Sequence, residues 1–228
     1  MKKPDVPVGK LLGEGKYTTV HEDPQDESKV MKLMRKDWKE KLVKVFGWHI
    51  FSTKDEGVHP LDNIHRVKSD LDFLQTHFKQ WLPRTTVAQE EGHIVTRQDK
   101  IIGPTLDALP FTAACEFELR EFFTHVIDAY IQSMYKRGEE IHGIFPDLKA
   151  ENFHYGIPAS DPKAKPRLYF IDTYPIEGCD AQDYIRRVLP MQRGRFPKHW
   201  QKVFTEFERS AERRICKHAA EIRHGVIK

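Results

Sequence analysis

Asp147-Leu148-Lys149-Ala150-Glu151-Asn152 is followed, twenty residues after its asparagine, by Ile171-Asp172, an acid that abruptly ends an apolar run. The first carboxylate can orient a hydroxyl. The lysine two residues on can neutralise a phosphate in flight. The amide and the second carboxylate can share Mg²⁺. Together these four side chains form a layout for handling a nucleoside triphosphate, and they imply movement of a phosphoryl group.

Working outward, the segment before this loop reads as a long amphipathic helix from about Glu116 to Arg137. Leu119, Phe122, Phe123, Val126, Ile127, Tyr130, Ile131 and Met134 form its apolar face, and Gly138 ends it. After the loop, a hairpin around Pro158–Pro166 leads to the strand Leu168–Ile171. A second long helix spans His199–His224, with Trp200, Val203, Phe204, Phe207, Ala211 and Ile215 on one side.

The N-terminal part reads as strands. Val8–Leu12 runs into Gly13-Glu14-Gly15-Lys16-Tyr17-Thr18-Thr19-Val20, a glycine-bearing loop, and Lys29–Met34 alternates as a half-buried strand. Trp38, Leu42, Val45 and Phe46 suit a short helix that ends in a loop at Lys54–Pro60. Ile64–Trp81 is a stronger helix, with Val67, Leu71, Leu74 and Phe78 on one stripe and Pro83 beyond its end. Two short strands, Thr85–Ala88 and Gly92–Arg97, meet at the turn Glu90-Glu91-Gly92. Gln98–Pro110, with Gly103, Pro104 and Pro110, reads as a linker. The order describes an α+β chain, a single domain over residues 1–228. Its small β-rich lobe covers about 1–98, its hinge about 98–110, and its mainly helical lobe about 111–228.

Composition sets bounds. The chain has 228 residues and a formal charge of +3, so composition points to no polyanionic partner. Cys115, Cys179 and Cys216 are odd in number and far apart, which fits reduced thiols of a cytoplasmic protein and neither a disulfide framework nor a zinc site. No apolar run is long enough to span a membrane. The start, Met1-Lys2-Lys3-Pro4-Asp5, has no apolar stretch of a signal peptide. No aromatic-rich strand motif accompanies the arginines, which disfavours nucleic acid.

With these motifs in order, the chain resembles the protein kinase superfamily over roughly residues 8–175. Gly13–Val20 is similar to the kinase glycine-rich loop, with Thr18 where a third glycine usually stands. Val30-Met31-Lys32 resembles the strand-borne lysine motif. Phe145–Asn152 resembles the catalytic loop, and Asp172-Thr173-Tyr174 stands in the place of the Asp-Phe-Gly triplet.

The resemblance implies a bilobal kinase-like fold, with ATP and Mg²⁺ as cofactors. Asp147 would orient the acceptor hydroxyl and take its proton. Lys149 would stabilise the transferred phosphoryl group, and its position is typical of serine/threonine kinases. Asn152 and Asp172 would hold Mg²⁺. Gly13, Gly15 and Val20 would cover the nucleotide, Lys32 would pair with its α- and β-phosphates, and Asp70 would orient Lys32.

The departures carry information too. Asp70 stands where glutamate is usual. Phe145 and Pro146 replace the usual histidine and arginine, and without that arginine control by activation-loop phosphorylation is not expected. No Ala-Pro-Glu sequence follows, and the stretch after Asp172 is short. These features are similar to minimal bacterial kinases, including small secreted effector kinases, so secretion is the alternative to a cytoplasmic location.

The favoured reading is a minimal serine/threonine protein kinase. Its alternatives are a small-molecule phosphotransferase and a pseudokinase acting as a binding module. Lys149 favours a protein acceptor, and the missing peptide platform favours a small one. Lys32, Asp147, Asn152 and Asp172 are all present, which disfavours the pseudokinase. The cluster Arg186, Arg187, Arg193, Arg195 and Lys198 reads first as a solvated basic surface and second as a dock for an acidic partner or phosphorylated substrate.

Overall fold

A computed structural model describes residues 6–14, 18–34 and 64–226. The helix expected at Trp38–Phe46, the loop Lys54–Pro60 and Gly15 lie outside the described residues.

Two compact units are present, and they interleave along the chain. One takes the chain up to Leu71, Pro83–Ile102 and Ile157–Ala164; the other takes Asp72–Leu82, Gly103–Gly156 and the chain from Lys165 onward.

The first unit is built on a five-stranded antiparallel sheet. Its strands are β1 (Leu11–Glu14), β2 (Thr18–Glu22), β3 (Lys29–Met34), β4 (Thr85–Glu90) and β5 (His93–Asp99), in the order β1-β2-β3-β5-β4. Alternation along β3 and β5 puts Met31, Leu33 and Val95 on one face, where they bury together with Val6. The expected turn joins β4 to β5: Glu91 and Gly92 both have positive φ, at 46° and 76°, the twist that a two-residue hairpin requires. Helix α1 (Ile64–Phe78) lies in sequence between β3 and β4 and continues as a 3-10 turn, Lys79–Trp81. Its predicted stripe of Val67, Leu71, Leu74 and Phe78 is buried.

The second unit is mainly helical, so the α+β architecture expected from the sequence, antiparallel sheet first and helices after, is the one observed. Helix α2 (Ala113–Gln132) starts on Thr112, whose side chain accepts a bond from the Cys115 N–H at 3.3 Å. The final helix, α5 (Lys198–Arg223), lies against it, with Phe123 stacked on Phe207 at 4.5 Å between ring centroids. Phe122 is the centre of the core: its ring lies 5.1 Å from Phe78, 5.1 Å from Phe153 and 5.2 Å from Phe170.

The end of α2 differs from the expectation. The helix stops at Gln132, and the chain turns into a hairpin of β7 (Tyr135–Arg137) and β8 (Glu140–Phe145) that the sequence pattern does not announce. Ser133 is the cause. Its hydroxyl accepts the Ile144 N–H at 2.9 Å and donates to the Tyr130 carbonyl at 2.9 Å, so it ends the helix and fixes the returning strand together. Gly138, with φ of 64°, turns the hairpin and does not cap a helix. Met134 therefore lies beyond the helical face assigned to it.

Three strands complete the frame of the loop. β9 (Phe153–Pro158) pairs antiparallel with β10 (Arg167–Phe170), and its far end pairs with the short β6 (Ile101–Ile102). β11 (Ile176–Asp180) pairs with β8. The expected linker Gln98–Pro110 thus carries the end of β5 and β6. After β11 come the short helix α3 (Ala181–Asp183), a π-helical turn (Tyr184–Val188) and α4 (Leu189–Arg193). Among the described residues no helix is long and apolar enough to cross a membrane.

Candidate active site

The loop begins where β8 ends and is held by buried side chains, which alternate with Asp147 and Lys149 over Pro146, Leu148 and Ala150. Phe145, Leu148, Ala150 and Phe153 are all buried, so Leu148 points into the core. Asp147 and Lys149 flank it in extended chain and so project to the opposite side together. There the Lys149 Nζ lies 2.6 Å from Asp147 Oδ2. Asp147 is only 19% exposed.

Sheet register brings the second acid to this loop. Phe170 pairs with Phe153, and the ladder continues one step through the Ile171 N–H, which donates to the Asn152 carbonyl at 2.9 Å. The residues just beyond that bond are therefore neighbours. The Asn152 side-chain amide donates to Asp172 Oδ2 at 3.2 Å and to the Asp147 backbone carbonyl at 2.9 Å. Asp172 is oriented through its other oxygen, which accepts the N–H groups of Thr173 at 2.7 Å and Tyr174 at 3.2 Å. Asn152 and Asp172, neighbours here, each carry a hard oxygen donor, a side-chain carbonyl and a carboxylate, of the kind that suits Mg²⁺. Among the described residues no cluster of three His, Cys, Asp or Glu makes another candidate metal site.

Under the loop, Phe145 packs on Tyr184 with centroids 4.4 Å apart, and Tyr184 stacks on Tyr130 at 4.6 Å. Burial pushes both phenols well above their ordinary range, so they stay neutral and serve as packing. Tyr130 donates to the Cys179 carbonyl at 3.0 Å. Burial likewise raises the Cys179 thiol to about 12, which leaves it no thiolate for chemistry. Phe145 thus takes its place in an aromatic stack with Tyr184 and Tyr130.

In the sheet unit, register again gathers the predicted residues. Gly13 pairs with Val20, Val20 with Lys32, and Lys32 with Thr96. Residues directly opposite in antiparallel strands share a face, so Gly13, Val20, Lys32 and Thr96 form one row on the face away from Met31 and Leu33. Lys32 is 8% exposed, a buried ammonium. Thr96 is fully buried, and its hydroxyl has no hydrogen-bond partner among the described residues. The sequence reading missed Thr96; the alternation of β5 is the signal that marks it. Asp70 lies on α1, 4% exposed, and accepts a bond from Arg66 Nε at 2.9 Å.

The basic cluster separates on folding. Arg193 pairs with Glu208 at 2.8 Å, and Arg187 lies 3.6 Å from Asp183. Arg195 instead reaches back to the loop, with Nη1 3.4 Å from Asp147 Oδ1. The sequence singled out Arg195 only as part of a surface patch, because nothing local links it to an acid 48 residues earlier. His142 and His199 are taken up by backbone carbonyls, of Gly178 at 2.8 Å and Leu109 at 3.1 Å.

No protein-family model matches the sequence, and no curated protein does. Among solved structures, the chain is similar to the GDP and kanamycin complex of APH(2")-IIia. The TM-score is 0.44 and the identity 12%, over 93% of this chain and 83% of that one.

Proposed function

We propose that this chain transfers the γ-phosphoryl group of a nucleoside triphosphate, ATP in the first instance, to a hydroxyl. The observation that supports it is the Asn152 amide, which joins the Asp147 loop to the Asp172 carboxylate. It ties a base for the acceptor to a pair of oxygen donors for a cation, which are the two requirements of phosphoryl transfer.

In this reading Asn152 and Asp172 hold Mg²⁺, whose charge, when bound, offsets that of the phosphates. Lys32, oriented by Asp70, holds the nucleotide phosphates, and Gly13, Gly15 and Val20 cover them. Asp147 orients the acceptor hydroxyl and takes its proton. Lys149, already at the Asp147 carboxylate, balances negative charge on the moving group.

The acceptor has two readings. Lys149 favours a serine or threonine hydroxyl of a protein. The approach of Arg195 to Asp147 favours a small molecule, because a side chain from the segment after α4 already lies where an acceptor must come. We take the small acceptor as the better supported. The test is incubation of the full chain with γ-³²P-labelled ATP and Mg²⁺, with a protein substrate mixture and with small hydroxyl compounds, beside Asp147→Ala. Label that reaches small compounds and vanishes in the variant is expected. Transfer that persists in Asp147→Ala overturns the assigned chemistry, and transfer to protein alone overturns the small acceptor.

A further inference from the structure

Resting on the phosphoryl-transfer reading, we infer that Arg195 selects an acceptor carrying an oxyanion, phosphate or carboxylate, beside its hydroxyl.

Asp147 has two oxygens in different circumstances. Oδ2 is held by Lys149 at 2.6 Å, a short charge-assisted contact. Oδ1 meets Arg195 Nη1 at 3.4 Å, well beyond the roughly 2.7–2.9 Å of such a bond. Oδ1 is thus the oxygen that a hydroxyl proton can approach, and the guanidinium stands next to that approach.

Two cations, Lys149 and Arg195, meet the one carboxylate of Asp147; Lys149 is assigned to the moving phosphoryl group, which leaves Arg195 on the acceptor side. Among the described residues Asp147 is the one ion-pair partner of Arg195, and the arginine side chain is 41% exposed. A guanidinium has five N–H donors in a planar fork that matches carboxylate and phosphate. One nitrogen faces Asp147, which leaves most of the fork for a ligand. A neutral acceptor offers this fork only uncharged oxygen acceptors; an anionic one adds charge-assisted bonds, which are shorter and stronger.

The fold holds the arginine in place. The Arg195 N–H donates to the Gln192 carbonyl at 2.9 Å, and the Phe196 N–H to the Arg193 carbonyl at 3.0 Å. Phe196 is 2% exposed and packs on Phe204 and on Phe153, the residue after Asn152. The arginine is therefore anchored to the strand that leaves the loop, whereas Arg193 is used up by Glu208.

The reaction balances simply. A bond forms between the acceptor oxygen and the γ-phosphorus as the bond from that phosphorus to the β,γ-bridging oxygen breaks. The electron pair leaves with the nucleoside diphosphate, and the hydroxyl proton passes to Asp147.

The test uses three matched probes, glycerol, glycerate and glycerol 3-phosphate, with wild type, Arg195→Ala and Arg195→Lys. Binding is read by ligand-observed NMR, which needs no turnover, and transfer by label from γ-³²P-ATP with KM and kcat separated. Expected is a preference of roughly 10- to 100-fold for a charged probe over glycerol, carried by KM, lost in Arg195→Ala and partly kept in Arg195→Lys. The carboxylate and phosphate arms say which oxyanion fits. Equal binding of all three probes, or a preference that survives Arg195→Ala, overturns this inference and leaves phosphoryl transfer standing. Arg195-dependent binding of a charged probe with no label transferred, and no ATP hydrolysed, supports the anion site and overturns the phosphoryl-transfer reading instead.

Discussion

The side-chain amide of Asn152 donates to Asp172 Oδ2 at 3.2 Å, across a strand register that makes the two residues neighbours despite the twenty positions between them. Their contact separates two jobs. In the proposed reading Asp172 and the Asn152 side-chain oxygen hold a cation, and Asp147, beside Lys149, meets the acceptor. In Asp172→Ala, Mg²⁺-dependent thermal stabilisation by ATP is expected to disappear. In Asp147→Ala it is expected to remain, while the rate of transfer falls by about 10²- to 10⁴-fold. Thermal melts with and without Mg²⁺, beside rate assays, check the pair. Loss of nucleotide stabilisation in both variants would show that the two acids do not divide the work.

Lys32 is a buried cation in the row Gly13, Val20, Lys32, Thr96. A hydrogen bond to a charged group is worth about 1.5–3 kcal/mol. Lys32→Met is therefore expected to weaken ATP binding roughly 10- to 100-fold. Titration calorimetry decides it; unchanged ATP affinity would remove Lys32 from the nucleotide site.

Ser133 joins the end of α2 to β8 through one hydroxyl. Ser133→Ala leaves the Ile144 N–H without its partner, and a loss of about 1 kcal/mol is expected in urea unfolding, with the m-value unchanged. Ser133→Thr keeps the hydroxyl and should recover much of it.

Glu118 is half-buried and accepts the Leu168 N–H at 2.9 Å. Burial, the larger effect, raises its pKa above the usual carboxylate value. The native state then holds the proton more tightly than the unfolded chain, so stability falls as pH rises from the ordinary glutamate pKa through the raised one. Glu118→Gln keeps an acceptor for Leu168 without the charge. The decline over that window should flatten in unfolding curves taken at several pH values, and an unchanged slope would assign it to other groups.

Where the sequence was most legible, local pattern and tertiary role coincide. The stripe of α1, the strand alternation of β3 and the turn at Glu91-Gly92 depend on period and backbone freedom, which neighbouring residues already encode. The end of α2 was misread for the same reason. Met134 and Gly138 satisfy a helical pattern, but Ser133 hydrogen-bonds to Ile144, eleven residues on, and that bond cannot be seen in periodicity.

By itself the sequence determined the chemistry on offer at the loop. Acid, lysine, amide and second acid are fixed in type and spacing, and the alternation around Leu148 makes Asp147 and Lys149 face the same way. Only the tertiary structure decided which groups meet. The pairing of β9 with β10 sets Asn152 against Asp172, the sheet register lines up Gly13, Val20, Lys32 and Thr96, and the buried anchor of Phe196 brings Arg195, alone of its cluster, to Asp147. Such contacts join residues far apart in the chain, and hydrogen-bond register and core packing select them.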